Sequence, residues 1–183
     1  MDLNWATKEV SALLGLRDRG ERLMQLVSRR EATPPEAAKA LRAATPALWF
    51  PGARSPQGAM AGLWLYFGGF DEAHRLAQDL DTPDGSYWHA IVHRLEPDAW
   101  NSGYWFRRVG RHAIFPALLE QAERIAATHP GCRFSPGASW RSEGFTTLCE
   151  EARSRPASSA DHAAREIQSA EWRLLFTWCG MRP

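Results

Sequence analysis

Prolines and hydrophobic spacing together restrict this chain to a helical fold. Apolar residues recur at intervals of three and four in successive segments, and several segments begin with a proline after a serine or threonine. A hydroxyl residue before a proline is typical of a helix N-terminus, because the hydroxyl accepts free backbone amides and proline already has a helical φ. Nowhere do β-branched and aromatic residues alternate with polar ones over five positions. The sequence therefore predicts an all-α protein that is helical over well over half its length.

The pattern predicts a single domain, residues 1–183, of about eight or nine helices packed as antiparallel hairpins. Residues 1–50 should contain N-terminal helices, residues 56–128 central hairpins and residues 142–180 C-terminal helices. Individual helices are expected at about 34–44, 57–67, 70–80, 86–96, 98–109, 116–128, 142–154 and 160–179. The helix at 57–67 is apolar on nearly all sides, which indicates a buried central helix.

Leucine spacing also predicts helices on both sides of Gly15. Leu3, Val10, Leu13 and Leu14 indicate the first. For the second, Leu16, Leu23, Leu26 and Val27 would form the apolar face, and Arg17, Arg19, Arg22, Arg29 and Arg30 would lie on the solvent side.

Composition excludes several classes of function. The 183 residues carry a net charge of +1, which gives no overall field to attract nucleic acid or an anionic membrane. No apolar run approaches the roughly 18 residues that a membrane-spanning helix needs, and no secretory signal is visible. The 3 cysteines show no CxxC spacing, which favours reduced thiols. We therefore expect a cytoplasmic protein with no nucleic-acid or membrane partner.

Only Lys8 and Lys39 are lysines, and neither follows the glycine-rich pattern of a phosphate-binding loop. This excludes a P-loop nucleotide enzyme. Cys132 and Cys149 have histidines in the same region, but no context typical of a catalytic nucleophile surrounds them.

The segment from Leu63 to Ala77 resembles one tetratricopeptide unit. Trp64 matches the bulky residue of that family's first helix, Gly68 the glycine before the turn, Phe70 the aromatic that starts the second helix, and Ala73 the small residue where the helices cross. The next pair, Tyr87–Glu96 and Asp98–Val109, repeats the layout with Ser102 at the crossing and Phe106 four residues later. Over residues 60–109 the resemblance implies paired antiparallel helices with Trp64 and Phe70 in the core.

Residues Tyr87 to Arg94 and Tyr104 to Gly110 are also similar to a family of small, functionally uncharacterised bacterial and fungal proteins. That resemblance suggests a bacterial source and implies no activity.

Unusual chemistry is concentrated in residues 86–115. This stretch holds three tryptophans, two tyrosines, three histidines and four arginines. His89, His93 and Glu96 follow one another at helical spacing and should project from one face. Two imidazoles and a carboxylate are suitable ligands for zinc or iron. Our first expectation is nevertheless that the protein has no cofactor, with one histidine packed on a tryptophan and the other hydrogen-bonded to a carboxylate or carbonyl. A zinc or iron ion is the alternative.

Cationic and aromatic residues of the same stretch could bind an anion, because guanidinium groups pair with carboxylate or phosphate and stack on rings. The alternative is a set of structural ion pairs with nearby carboxylates. The candidate ligand-binding residues are His89, His93, Arg94, Tyr104, Trp105, Arg107, Arg108 and His112. If they serve one site, the histidines and arginines should converge around one concavity.

Two functions follow from these residues. The first is a non-catalytic helical binding module that recognises a protein, a peptide or a small anionic molecule through the surface of residues 86–112. The second is a metal-dependent enzyme in which His89, His93 and Glu96 hold the ion and the arginines orient an acidic small-molecule substrate. The sequence does not indicate which catalytic step such an enzyme would perform, or the oligomeric state.

Overall fold

Ten α-helices and no strand are present in the computed structural model, which describes residues 3–27, 32–135 and 137–183. The structure is 66% helical, which confirms the all-α prediction. In chain order the helices are α1 (Lys8–Gly15), α2 (Pro35–Ala43), α3 (Pro46–Trp49), α4 (Pro56–Tyr66), α5 (Phe70–Gln78), α6 (Pro83–Leu95), α7 (Ala99–Val109), α8 (Phe115–Thr128), α9 (Ser142–Ser154) and α10 (Ser159–Gly180). The short α3 is the helix that the sequence pattern did not predict.

Side-chain caps explain where several helices begin. The Thr82 hydroxyl accepts a hydrogen bond from the amide of Gly85, with Pro83 in the first turn of α6. Asp98 caps α7 through the amide of Asn101 in the same way. These caps satisfy amides that have no partner inside the helix. They place the start of α6 three residues before the boundary that hydrophobic spacing predicted.

The helix predicted after Gly15 is wrong. The described part of that segment contains only a 3₁₀ turn, Asp18–Gly20, followed by non-helical chain to Val27; Arg29 and Arg30 lie outside the described residues. Asp18, Arg19 and Gly20 all have φ between 48° and 83°, in the left-handed region that a right-handed helix cannot include.

Tertiary hydrogen bonds replace the helical ones in this segment. The amide of Met24 donates to Ser169 Oγ at 3.0 Å, and Gln168 Nε2 donates to the carbonyl of Gln25 at 2.7 Å. Both partners belong to α10. Because side chains of α10 form hydrogen bonds with these backbone groups, the segment does not need helical hydrogen bonds. The leucine spacing therefore does not correspond to a helix here.

Consecutive helical hairpins form the centre of the fold. Trp64 of α4 is buried, as predicted, and lies so close to Gly69 that a Cβ there would be 2.3 Å from its ring. Phe70 packs on the same core but is only half-buried. Ser102 is fully buried where α7 crosses α6, and its hydroxyl donates to the carbonyl of Ala90 at 2.9 Å. Membership of the tetratricopeptide family stays a prediction.

Helix α10 joins the two hydrophobic clusters of the core. One cluster centres on α4, α6 and the C-terminal half of α10, and the other on α8, α9 and the N-terminal half of α10. The indole of Trp172 donates to the carbonyl of Gly62 at 2.8 Å, which ties α10 to α4. The buried, apolar character predicted for α4 is confirmed. Among the described residues, no helix has both the length and the apolarity needed to cross a membrane.

Candidate metal centre

Three histidines from two helices meet at one point. His74 lies on α5, and His89 and His93 lie on α6. The Nε2 atom of His89 is 2.8 Å from Nε2 of His74 and 3.1 Å from Nε2 of His93. Their ligand atoms all lie within 4.8 Å of one another. The spacing of four residues predicted for His89 and His93 therefore brings two of the three nitrogens together.

His74 was not among the residues predicted from the sequence. Seven residues separate it from the Asp81–Thr82 peptide bond, and seven separate that bond from His89. In an antiparallel hairpin that turns at this bond, the two histidines must come side by side. The symmetry of histidines about a predicted turn is thus the pattern that would have indicated the third ligand.

Glu96 contacts the opposite side of the His93 ring. Its Oε2 atom is 3.1 Å from Nδ1 of His93, whereas Nε2 of that ring faces the other histidines. Glu96 therefore does not belong to the group whose ligand atoms converge, contrary to the ligand set expected from spacing. A carboxylate behind a histidine is the arrangement that orients ligating imidazoles in metal sites.

Protons alone satisfy this cluster poorly. Nδ1 of His93 is 3.1 Å from Glu96 but makes no well-aligned hydrogen bond in the described part of the chain; if this nitrogen carries the proton, Nε2 of neutral His93 has only a lone pair. If His74 also has its lone pair on Nε2, one proton on Nε2 of His89 would have to serve both neighbours. The Nδ1 atom of His89 is buried without a hydrogen-bond partner in the described part of the chain. A cation at the centre would bind all three Nε2 lone pairs together.

Burial keeps His89 and His93 neutral near pH 7. His89 is 3% exposed and stacks on Trp105 with ring centroids 4.0 Å apart. Desolvation, with smaller effects from the neighbouring histidines, lowers the pKa of His89 from 6.5 to about 4. Burial also lowers the pKa of His93, although the Glu96 carboxylate opposes this effect. Neutral imidazole is the form that binds metals.

Carboxylates flank one side of the cluster. A cleft of about 460 Å³ lies beside it, next to Phe70 and Glu96, and its lining includes Leu95 as well as Asp71 and Asp98. Glu96 forms part of this lining and also contacts His93. None of the three histidines lines this cleft, so it adjoins the cluster only through Glu96, which contacts His93, and Phe70, which contacts His74.

An aromatic and cationic layer covers the other side. The guanidinium carbon of Arg108 is 5.3 Å from the ring centroid of Trp105, which in turn stacks on His89. Arg108 also pairs with Asp81 at 3.1 Å, but Asp81 is 94% exposed. Such exposed pairs contribute little and break easily. Tyr104 packs edge-on against Trp105, and Arg107 is exposed on the same helix.

Arg94 lies elsewhere, in the core. It is fully buried and forms an ion pair with Glu171 of α10. The hydroxyl of Tyr87 donates to the same carboxylate at 3.0 Å. Burial and the Glu171 charge raise the pKa of Tyr87 well above its ordinary value, so its hydroxyl stays protonated. Arg94 cannot line a cleft; it forms a structural ion pair, but with Glu171 of α10 and not with a carboxylate nearby in sequence.

His112 is also separate from the cluster. Its Nδ1 atom accepts the amide hydrogen of Ile114 at 3.3 Å, so the proton is on Nε2, which donates to Asp84 at 2.9 Å. Trp178 donates to the same Asp84 oxygen. The eight candidate residues therefore do not converge on one concavity: six lie around the histidine cluster and α7, while Arg94 and His112 form two buried networks of their own.

None of the protein-family models, curated proteins or solved structures compared with the chain matches it.

The lowered pKa of His89 predicts that metal-free protein loses stability in acid. Its folded pKa, about 4, is below the unfolded value of 6.5, so the unfolded chain binds more protons between these values. The His89 contribution is complete above about pH 6.5 and is lost as the pH falls towards about 4. We expect His89→Gln to lose less stability than the wild-type chain between these pH values, measured as urea midpoints with a chelator present. His162→Gln, at an exposed histidine, is the control. Equal losses in His89→Gln and wild type would contradict the assignment.

Proposed function

We propose that this protein is a metal-dependent enzyme whose divalent ion is held by His74, His89 and His93. The observation that carries the proposal is the convergence of three imidazole Nε2 atoms from two packed helices. A chain that needed these histidines only for packing would not require three lone-pair nitrogens to face one another. The metal-ligand role that spacing suggested for His89 and His93 is kept, and His74 replaces Glu96 as the third ligand.

Zinc fits this set of donors best. Imidazole nitrogens bind zinc at about 2.0–2.1 Å, which separates tetrahedral ligands by about 3.3 Å. The observed Nε2 separations of 2.8 and 3.1 Å reach that value with small side-chain rotations. The non-haem iron triad needs a carboxylate in contact with the metal, whereas Glu96 contacts the far side of His93. Glu96 therefore supports the zinc assignment as a residue that orients a ligand.

Three protein ligands favour catalysis over a purely structural role. Structural zinc sites are closed by four protein ligands, while catalytic sites keep one position for water. A zinc ion held by these residues would lower the pKa of a water molecule to about 7 and so supply hydroxide. In ester hydrolysis the hydroxide oxygen would bond to the carbonyl carbon, the bond to the alkoxide would break, and the alkoxide would leave as the alcohol after taking the proton of the hydroxide. We infer a hydrolytic reaction on this basis.

The Trp105–Arg108 layer supports an acidic substrate. Arg108 is linked to the cluster through the ring of Trp105. Trp105 stacks on His89, and the guanidinium carbon of Arg108 lies 5.3 Å from the centroid of the Trp105 ring. The bond of Arg108 to exposed Asp81 can be exchanged for a substrate carboxylate. Arg107, one residue earlier and exposed, adds positive charge to the same helix.

The metal assignment predicts one bound zinc ion per chain in protein purified without a histidine tag. Replacing His74, His89 or His93 with alanine should abolish stoichiometric binding, measured by competition with a chromophoric chelator and by elemental analysis. Glu96→Gln should weaken binding by about 10–100-fold, the usual effect of removing a carboxylate behind a ligating histidine. His162→Ala should bind zinc like the wild type. Unchanged affinity in the His74 variant would exclude the three-histidine centre.

The substrate assignment predicts a preference for anionic esters. The zinc-loaded protein should hydrolyse a p-nitrophenyl ester that carries a free carboxylate faster than its neutral, methyl-ended counterpart. Arg108→Gln should reduce kcat/KM for the charged ester by about tenfold, as expected for a lost hydrogen bond to a charged group, and leave the neutral ester unaffected. Arg124→Gln, at another exposed arginine, is the control. If the protein binds zinc but hydrolyses neither ester, it is a metal-binding protein and the proposal of an enzyme is wrong.

Exposed aromatic rings on α7 favour a second candidate, the binding module. Trp100 is 75% exposed and Tyr104 40%, and their rings are nearly parallel at 13° with centroids 6.5 Å apart. Exposed, preordered rings next to arginines are typical of surfaces that recognise peptides or anions. This candidate needs neither metal nor turnover.

The binding module predicts capture of acidic peptides by α7. Peptides rich in Asp and Glu should bind the wild-type chain on an array, and the Trp100→Ala/Tyr104→Ala double variant should lose them. Zinc affinity should not change in that variant, because neither ring belongs to the histidine cluster. Equal peptide binding by wild type and double variant would exclude this surface.

A further inference from the structure

A second cleft lies between α8, α10 and the loop before α4, and none of its lining residues belongs to the histidine cluster. Its volume is about 480 Å³, within the range of small-molecule sites. Ile114, Leu174, Met181 and the Trp178 indole supply an apolar lining. Arg54 and Arg173 supply two guanidinium groups, and no carboxylate is among the residues that line it.

Arg54 is held in place without an ion pair in the described part of the chain. Its guanidinium carbon is 4.3 Å from the Trp178 ring centroid. Its backbone amide donates to the carbonyl of Met181 at 2.9 Å, which fixes the loop to the end of α10. Stacking on a ring uses the face of the guanidinium group and leaves its N–H edges free to donate. Arg54 thus presents ordered donors to the cleft.

The ring under Arg54 is itself fixed. Trp178 Nε1 donates to Asp84 at 3.0 Å, and the same carboxylate oxygen accepts a hydrogen bond from His112. A ring held this way loses little freedom when a ligand packs on it, which favours binding. His112, predicted from the sequence as a ligand-binding residue, would then support a binding site from behind, through Asp84 and Trp178.

Arg173 places the second charge in the lining. It forms an ion pair with Glu21 at 3.7 Å, and Glu21 lies outside the cleft lining. Two guanidinium groups above an apolar floor favour a ligand with an anionic head and an apolar body. A cationic ligand would meet two like charges, and a wholly apolar one would leave Arg54 without an acceptor.

We propose that this cleft binds a small amphipathic anion, with its carboxylate or phosphate on Arg54 and its hydrocarbon body on Trp178, Leu174 and Met181. The proposal does not depend on the metal centre, because no residue is shared between the two sites. It assigns a ligand-binding role to Arg54, which lies outside the segment 86–115.

Octanoate, octyl phosphate, octylamine and octanol test the proposal on the full chain by calorimetry. Octanoate or octyl phosphate should bind one per chain, at least about tenfold more tightly than octylamine or octanol, because only the anions receive charge-assisted hydrogen bonds. Comparison of the two anions identifies the head group. Equal binding of all four compounds, or binding of none at millimolar concentration, would overturn the proposal.

Variants locate the site. Arg54→Gln should weaken anion binding by about tenfold or more, and Arg54→Lys should weaken it less, because the charge remains but the planar fork is lost. Arg124→Gln is the matched control and should bind like the wild type. In NMR spectra, the anion should shift the indole resonance that disappears in Trp178→Phe. Wild-type affinity in a folded Arg54→Gln protein, or shifts confined to other indoles, would refute the site.

Discussion

The buried ion pair between Arg94 and Glu171 is the interaction on which the arrangement of this molecule most depends. Both side chains are wholly removed from solvent. The guanidinium carbon of Arg94 lies 4.6 Å from the Phe145 ring centroid in one hydrophobic cluster and 5.8 Å from that of Phe106 in the other. The pair therefore sits where the two clusters meet. Removing one partner of such a pair leaves an unpaired buried charge, which lowers the free energy of unfolding by about 3–5 kcal/mol.

This ion pair also determines where the histidines point. Successive residues on an α-helix are about 100° apart, so fixing Arg94 towards α10 turns its neighbour His93 towards α5. Tyr87 reinforces the same orientation through its bond to Glu171. The geometry of the candidate metal centre is thus linked to a polar contact on a different face of α6.

Much of the fold was predictable because hydrophobic spacing and capping residues agree along most of the chain. Helix α9, Ser142–Ser154, has the predicted bounds, and α4 is the buried central helix expected from its apolar composition. The failure lies between Gly15 and Val27, where leucines are spaced as in a helix but the backbone at Asp18 and Arg19 is left-handed. Local spacing cannot reveal that α10 supplies the hydrogen-bond partners of this segment.

The site was predictable only in part. The pair His89 and His93 follows from helical spacing alone, whereas His74 requires knowing where the hairpin turns. The sequence did not reveal that Arg94 forms a buried ion pair, because arginine is abundant in this chain and arginines on helices are usually solvent-exposed. The spacing of Arg94 from Tyr87 and Ile91 nevertheless places it on the same face of α6 as these two apolar residues, which are buried. Glu171 likewise stands four residues from both Ile167 and Leu175, which are fully buried in α10.

Helix α5 has fewer buried residues than its neighbours α4, α6 and α7, because only Ala73 and Ala77 of its residues are buried. It packs against both α4 and α6, and His74 supplies part of its contact with α6. An ion bound by His74, His89 and His93 would crosslink the two helices, and its binding free energy would add directly to the free energy of local opening. The amide hydrogens of α5 would then exchange with solvent at a rate set by metal occupancy. In this protein, the motion of one amphipathic helix would report the concentration of free metal around it.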